Sequence, residues 1–187
     1  MNDALTLLSR RRSVGPAFLV SPGPDAGELE TLLRLASRVP DHGKLTPWRF
    51  LVIAGDARDR AGEIALHLRL QDNPALDAAG QAAERARFSR SPLVVAVVSR
   101  AAPHAKIPEW EQVLSAGASA MALEVAAAAL GFASAWLTEW VAYDARFRAA
   151  LGLAEPERIA GFIHIGRAGR PPEDRPRPAL ADIVTYF

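Results

Sequence analysis

The feature that most constrains the fold is one long segment without proline, residues 109–130, with Gly131 directly after it. Between positions 116 and 129 nearly every side chain is apolar and small, which predicts a helix that is buried on every side and closely approached by another backbone. Such a helix suits a subunit interface around a two-fold axis, although the core helix of a monomer would have nearly the same composition. Glu124 interrupts the apolar stretch, and Ala, Gly and Ser insert poorly into lipid, so we do not interpret the segment as membrane-spanning. Gly131 is expected to cap the helix at its C-terminal end.

Apolar runs bounded by turn residues predict the remaining elements. Apolar side chains spaced three and four residues apart predict helices, and continuous apolar or β-branched runs predict strands. Asp25 starts the second helix, and Pro40 ends it because proline disfavours helical geometry in the residue before it. The predicted helices cover residues 3–12, 25–39, 57–70 and 145–151, with another that ends near 84–90, and the predicted strands cover 50–54, 92–99, 132–137 and 159–166. A chain of 187 residues without internal repeats predicts one domain over 1–187.

Composition and missing motifs argue against several classes of function. The chain has no cysteine, which rules out disulfides, thiolate catalysis and metal sites built on Cys. Its net charge of +1, from 22 basic and 21 acidic residues, does not favour nucleic acid or an anionic membrane as a partner. Glycine-rich nucleotide motifs, a nucleophile elbow and an HExxH pair are missing, and the four histidines are too scattered to predict a metal site. The polar N-terminus lacks the apolar run of a signal peptide, so we expect a cytoplasmic protein.

The C-terminal tail cannot form a packed unit by itself. Four prolines lie between positions 171 and 178, and the chain then closes with the apolar sequence IVTYF at 183–187. An apolar, strand-like end of this kind needs another strand to pair with. A tail that wraps around a second subunit fits the pattern.

Three groups of residues are candidates for binding, and each also has a purely structural interpretation. The sequence RRRS at 10–13 carries planar guanidinium donors that suit a phosphate, or it is a solvated basic helix terminus. Arg38 and His42 flank the Pro40 turn, which is a common place to present binding residues, or this turn is an ordinary one. The sequence WLT at 136–138 closes a predicted strand and could line a flat ligand, or it packs in the core.

Taken together and in order, these segments resemble the nitroreductase family, whose members bind FMN between two subunits. LLSRRRSV at 7–14 resembles the family's N-terminal Arg-Arg-Ser signature, and RVPDHGKLTPWRFLVI at 38–53 resembles its proline-containing loop and the strand after it. The Asp41-His42 pair, the segment 106–132 and the terminal VTYF are similar to the small YdjA-type branch of the family. The resemblance covers nearly the whole chain.

The resemblance implies an α+β, three-layer nitroreductase-like fold, in which helices flank a central mixed or antiparallel sheet. It implies an intertwined homodimer that exchanges C-terminal strands and holds FMN at the subunit interface. The implied activity is that of an NAD(P)H oxidoreductase, in which electrons pass from NADH or NADPH through FMN to a nitroaromatic, a quinone or another small acceptor by a ping-pong mechanism. A flavin carrier or sensor without turnover and a flavin-dependent dehydrogenase of a biosynthetic intermediate are the alternatives.

The resemblance also implies which residues hold the cofactor. Eight residues match positions that contact the flavin in the family: Arg11, Arg12, Ser13, Arg38, His42, Trp136, Leu137 and Thr138. The first three match the signature at the phosphate and ribityl end, and the last three match a segment that reaches the flavin from the other subunit. No dedicated catalytic acid–base pair and no metal ligand is expected. The sequence leaves open whether Arg167 or Arg170 contacts the phosphate.

Overall fold

The structure is a computed structural model that describes residues 3–187. Helices and strands are joined by loops that include three single-turn 3₁₀ segments at Pro16–Phe18, His42–Lys44 and Trp140–Ala142. The strands are β1 (Leu19–Val20), β2 (Trp48–Ala54), β3 (Leu93–Ser99), β4 (Ala133–Leu137) and β5 (Arg158–Ala168). The helices are α1 (Asp3–Arg10), α2 (Ala26–Ala36), α3 (Asp56–Asp72), α4 (Ala78–Arg85), α5 (Glu109–Ala129), α6 (Ala145–Ala150) and α7 (Leu180–Ile183).

The sheet is organised around β5, and all strand pairings among the described residues are antiparallel. One edge of β5 pairs with β3, which in turn pairs with β2. The other edge pairs with β4 along residues 162–166 and with β1 at 167–168. Every residue of β3 is buried, as its uninterrupted β-branched sequence predicts. An antiparallel sheet in a chain of mixed helices and strands confirms the predicted α+β fold class.

The side chains of β3 alternate between two hydrophobic clusters, because successive residues of a strand point to opposite faces of the sheet. The even-numbered residues 94–98 face a cluster under α3 and α6, where Phe88 packs edge-on to Phe162 with ring centroids 5.2 Å apart. The odd-numbered residues 93–97 face Leu32 of α2 and Leu123 of α5. Helices therefore cover both faces of the sheet, which gives the three layers that the family resemblance implies.

Local sequence signals place the ends of two helices where they were expected. Asp25 caps α2 by accepting from the backbone N–H of Glu28 (2.8 Å), and the Glu28 side chain accepts from the Asp25 N–H in return (2.9 Å). Gly131 adopts a positive φ of 77° after α5. The Phe132 N–H donates back to the Ala127 carbonyl (2.8 Å), which completes the helix-ending motif that favours glycine at this position.

The helix α5 packs on the sheet and α2, but only one side of it is covered. Ser119 and Leu123 are buried, whereas Val113, Leu114 and Met121 on the outer side are exposed. The prediction of a helix buried on every side is therefore wrong within one chain. Among residues 3–187, α5 is the one helix with the length and composition of a membrane span, and half of that stretch is buried inside the protein, as in a core helix.

Both ends of the described chain differ from the sequence-based expectation. α1 ends at Arg10 rather than at residue 12, because the chain turns away so that the Val14 N–H donates to the Ser134 carbonyl beside β4 (2.9 Å). Near the C-terminus, α7 (Leu180–Ile183) occupies the start of the predicted strand, and residues 168–187 are exposed. The strand β1 is not predicted, since two residues are too few for a periodic signal. Exchange of C-terminal strands requires a second chain and stays a prediction.

Candidate functional site

The segment that follows α1 borders a cavity of about 510 Å³. Residues 11–14 run alongside the start of β4, and the Arg11 N–H still donates to the Leu7 carbonyl of α1 (2.8 Å). Three consecutive arginines line this cavity together with apolar residues from the ends of α5 and β4; the lining residues include Arg10, Arg11, Arg12, Val14, Ala128, Gly131, Phe132 and Ala133. The cavity therefore combines an apolar wall with a concentrated positive charge.

Arg11 carries a mostly buried charge whose pairing is incomplete. Its side chain is 19% exposed, and Nη1 lies 3.9 Å from a carboxylate oxygen of Glu124, too far for a hydrogen bond. Among the described residues, Nη1 is the only buried side-chain nitrogen or oxygen without a hydrogen-bond partner. The buried Glu124 accepts instead from the Ser134 hydroxyl (3.1 Å). Arg11 therefore brings a positive charge with one unpaired nitrogen to the lining of the cavity, and such a charge is suited to bind an anion.

Arg12 and Ser13 lie beside the beginning of the C-terminal tail. The Arg12 Nε donates to the Glu173 carbonyl (3.0 Å) and lies 3.4 Å from the Asp174 carboxylate. Ser13 lines a second cavity, of about 400 Å³, whose other wall is formed by residues 170–173. In this arrangement an acidic tail segment supplies the counter-charge for Arg12.

The two basic residues at the end of the sheet, Arg167 and Arg170, are held on aromatic rings. Arg167 lies 3.9 Å above the centroid of the Phe132 ring and donates to the Gly131 carbonyl (2.8 Å), at the edge of the first cavity. Arg170 lies 3.8 Å above the centroid of the Phe18 ring and lines the second cavity. Arg170 thus lines the second cavity, whereas Arg167 contacts two residues that line the first.

The loop that contains Arg38 and His42 is fixed against the first half of α5. The Ser115 hydroxyl of α5 donates to the Pro40 carbonyl (2.6 Å), and the His42 Nδ1 contacts the Glu111 carboxylate at 2.7 Å. Both side chains of this His–Glu pair are exposed, at 61% and 46%. Arg38 is also exposed. The loop therefore presents an imidazole and a guanidinium on the outer surface beside the start of α5.

At the end of β4, the Trp136 indole contacts β5 at Ala160 and Gly161. Its Nε1 donates to the Ala160 carbonyl (3.0 Å), and a Cβ added to Gly161 would lie 2.0 Å from the same nitrogen, so only glycine fits beneath the ring. Trp136 remains 36% exposed, and Leu137 and Thr138 are half-buried. The Trp136 ring therefore packs against β5 with part of its surface and remains exposed to solvent with the rest.

Within one chain, the eight predicted residues do not lie in one place, because Arg11 and His42 are near opposite ends of α5. Arg11 lies beside Glu124 of α5, whereas His42 lies beside Glu111, and helical rise over this interval is about 20 Å. The Trp136 ring is near Gly117, about midway between Glu111 and Glu124. One chain alone therefore does not bring Arg11 and His42 into a single site.

The outer side of α5 carries an apolar groove along residues 118–129. Small side chains of α5 and one leucine of α2 form a groove of about 460 Å³, lined by Leu35, Ala118, Met121, Ala122, Val125, Ala126 and Ala129. A groove lined by apolar side chains on the outer side of a helix is a candidate surface for a protein–protein contact.

Comparison with known proteins identifies the family. The model of the nitroreductase family matches residues 8–167. The chain belongs to the nitroreductase family. Among similar nitroreductases, the Escherichia coli K12 protein named "Putative NAD(P)H nitroreductase YdjA" is 36% identical over 167 residues, which cover 88% of this chain and 87% of that protein. A Haemophilus influenzae protein named "Putative NAD(P)H nitroreductase" is 35% identical over 188 residues, which cover 99% of this chain and all of that protein.

Solved nitroreductase structures share the fold. The nitroreductase-like family protein from Bacillus cereus superposes with a TM-score of 0.85 at 20% identity, over 100% of this chain and 97% of that one. A Desulfovibrio desulfuricans protein described as a "putative nitroreductase in complex with FMN" superposes with a TM-score of 0.76 at 23% identity, over 100% of this chain and 98% of that one. The expected nitroreductase-like fold is thereby confirmed.

Sequence reasoning did not assign a site role to the acidic residues of this nitroreductase that touch the predicted cofactor residues. Glu124 is recognisable only as the one charge inside the apolar segment of α5, and its contact with Arg11 links positions far apart in the chain. Glu111 lies in the first turn of α5, where an acidic residue is common for its effect on the helix dipole. Its pairing with His42 has no local sequence signal.

Proposed function

We propose that this nitroreductase is an FMN-dependent NAD(P)H oxidoreductase that passes electrons from NADH or NADPH to a small acceptor such as a nitroaromatic or a quinone. The observation that carries the proposal is the Arg11 guanidinium, which is mostly buried, incompletely paired and part of the lining of a cavity of about 510 Å³. The FMN named in a similar structure and the NAD(P)H named for two relatives support this cofactor and this electron donor. FMN, when bound, supplies the redox chemistry.

The protein's own residues bind and orient the cofactor. Arg11, Arg12 and Ser13 would hold the phosphate, because guanidinium and hydroxyl groups form charge-assisted hydrogen bonds to phosphate oxygens. The phosphate would compete with the Asp174 carboxylate for Arg12. The exposed part of the Trp136 ring offers an apolar surface for a flat ring system.

The proposed active form is a homodimer with FMN at the interface. A two-fold axis across the middle of α5 would place the Glu111 end of one helix beside the Glu124 end of the other. Arg11 of one chain would then approach the partner's His42, with the Trp136 ring near the point where the helices cross, and residues from both ends of α5 would form one site. The same packing would cover the apolar outer surface of α5. We place the apolar end of the tail, residues 183–187, on the partner subunit.

The first test is an absorbance spectrum of the purified protein after FMN is added and free FMN is removed by desalting. We expect oxidised-flavin bands that NADH or NADPH bleaches anaerobically and that a quinone or nitroaromatic restores. Steady-state kinetics with both substrates varied should give the parallel double-reciprocal lines of a ping-pong mechanism. A colourless protein would contradict FMN binding. A protein that keeps FMN but is not reduced by either nucleotide would instead be a flavin carrier or sensor.

A further inference from the structure

The backbone at Glu139 has a conformation that residues other than glycine avoid. Its φ is 52° and its ψ is −177°, a region occupied almost only by glycine. Glu139 directly follows Thr138, the last residue of the proposed flavin-contacting segment, and precedes the 3₁₀ turn Trp140–Ala142. The chain therefore changes direction at Glu139, between the end of β4 and a turn that packs into the core.

Two arginines hold the side chain of this residue. Arg87 Nη1 lies 2.8 Å from one carboxylate oxygen of Glu139, and Arg90 Nη2 lies 2.8 Å from the other. Although burial raises the pKa of the Glu139 carboxyl, the charges of Arg87 and Arg90 outweigh it and lower that pKa below its ordinary value. Glu139 is therefore an ionised carboxylate with both oxygens paired.

The arginines and the residue after Glu139 are themselves anchored. Arg87 also pairs with the nearly buried Glu84 at 2.7 Å, and the Trp140 indole donates to the same carboxylate at 3.2 Å. The Arg90 Nε donates to the Arg87 carbonyl at 2.9 Å. A network of this kind over-determines a strained backbone, which is the circumstance in which such conformations persist and accompany function.

We propose that Glu139 is a positioning residue: the Arg87–Glu139–Arg90 contacts hold residue 139 in its glycine-like conformation and thereby fix the direction in which residues 136–138 face the flavin. This inference rests on the function proposed above. Without the contacts, residue 139 would relax towards ordinary backbone conformations and rotate the peptide unit that joins it to Thr138. The fraction of molecules with a binding-competent segment would fall, and the apparent FMN affinity would fall in proportion.

The test compares Glu139→Ala with Glu139→Gly. Both substitutions remove the carboxylate, but only glycine retains free access to the native backbone conformation. We expect Glu139→Ala to raise the Kd for FMN by about 10-fold or more, and Glu139→Gly to keep it within about 3-fold of wild type. Fluorescence quenching during FMN titration measures the Kd, and thermal unfolding of the FMN-free proteins shows that both variants are folded. A purely structural role for the ion pairs would affect both variants alike.

Glu157→Ala is the matched control. Glu157 also pairs with two arginines, Arg49 at 2.6 Å and Arg100 at 4.0 Å, and its φ is not among the positive values found at non-glycine residues. We expect this variant to lose stability without losing FMN affinity. If Glu139→Ala does not fold, Arg90→Gln takes its place in the test and is expected to weaken FMN binding. The double variant Arg90→Gln/Glu139→Gly should then restore the FMN affinity.

The possible outcomes are distinguishable. Wild-type protein that binds no FMN would overturn the proposed function, and this inference with it, before any variant is compared. If the wild-type protein binds FMN and the Glu139→Ala variant binds it with equal affinity, only the positioning role of Glu139 is overturned. If Glu139→Gly binds FMN as weakly as Glu139→Ala, the positioning role is also overturned, because the charge of residue 139 rather than its backbone conformation would then determine the FMN affinity.

Discussion

The burial of His164 predicts how the free energy of unfolding depends on pH. His164 lies in β5, is 1% exposed, and has its Nδ1 2.9 Å from the Ser91 hydroxyl. Burial lowers the pKa of the imidazole from 6.5 to about 4, with further lowering by Arg90 and Arg87 that Glu139 partly offsets. The folded protein therefore holds a neutral imidazole over a pH range in which the unfolded chain is protonated.

The sign and size of the effect follow from linkage. Because the unfolded state binds the proton first, the free energy of unfolding falls as the pH drops from 6.5 towards 4 and changes little from this source above 6.5. The lowered pKa of His164 corresponds to a contribution of about 3 kcal/mol to the free energy of unfolding over the whole titration. About 2.5 kcal/mol of that contribution is lost between pH 7.5 and 4.5. His164→Leu removes the titrating group at similar volume, and the Ser91 hydroxyl keeps its hydrogen bond to the Leu93 carbonyl (3.1 Å).

The assay is urea unfolding of wild type and His164→Leu at several pH values and one protein concentration. The difference between the two free energies isolates His164, because the contributions of carboxylates and of subunit assembly are common to both proteins. We expect the wild-type protein to lose about 2.5 kcal/mol more than the variant between pH 7.5 and 4.5. Parallel curves would refute the reasoning, since they would mean that the imidazole is protonated equally easily in both states.

Three further predictions concern the cofactor site and the assembly. Arg11→Met should raise the Kd for FMN by about 10- to 100-fold, as expected for a charge-assisted hydrogen bond; Arg34→Ala, exposed on α2, is the control, and unchanged affinity would contradict the assignment. Because the variant leaves the buried Glu124 without its ion pair, thermal unfolding of the FMN-free protein checks that it is folded. Met121→Glu, on the outer side of α5, should yield monomers without flavin in sedimentation velocity, and an active, flavin-loaded monomer would contradict the dimeric site. Gly161→Ala would place a Cβ 2.0 Å from the Trp136 nitrogen and should cost about 1–3 kcal/mol in urea unfolding; an unchanged stability would show that the ring shifts freely.

The sequence by itself determined the elements whose signals are local. The helix start at Asp25, the glycine after α5 and the unbroken apolar run of β3 each depend on a few neighbouring residues or on a simple period, and all three are found as predicted. The same signals located residues 10–13 at the end of a helix. They did not show that this helix would end at Arg10, because a hydrogen bond to the distant Ser134 decides that.

Only the tertiary structure decided how the candidate site residues are distributed. The site residues contact partners that are far apart from them in the chain, and no local pattern specifies such partners. The pairs are Arg11 with Glu124, His42 with Glu111, and Trp136 with Gly161. The apolar composition of α5 was visible in the sequence, but which of its sides would remain uncovered depended on where α2 and β5 pack. Local interactions select secondary structure, whereas side-chain partners and exposed faces follow from the packing of complete elements, which is why the site could be listed from the sequence but not assembled from it.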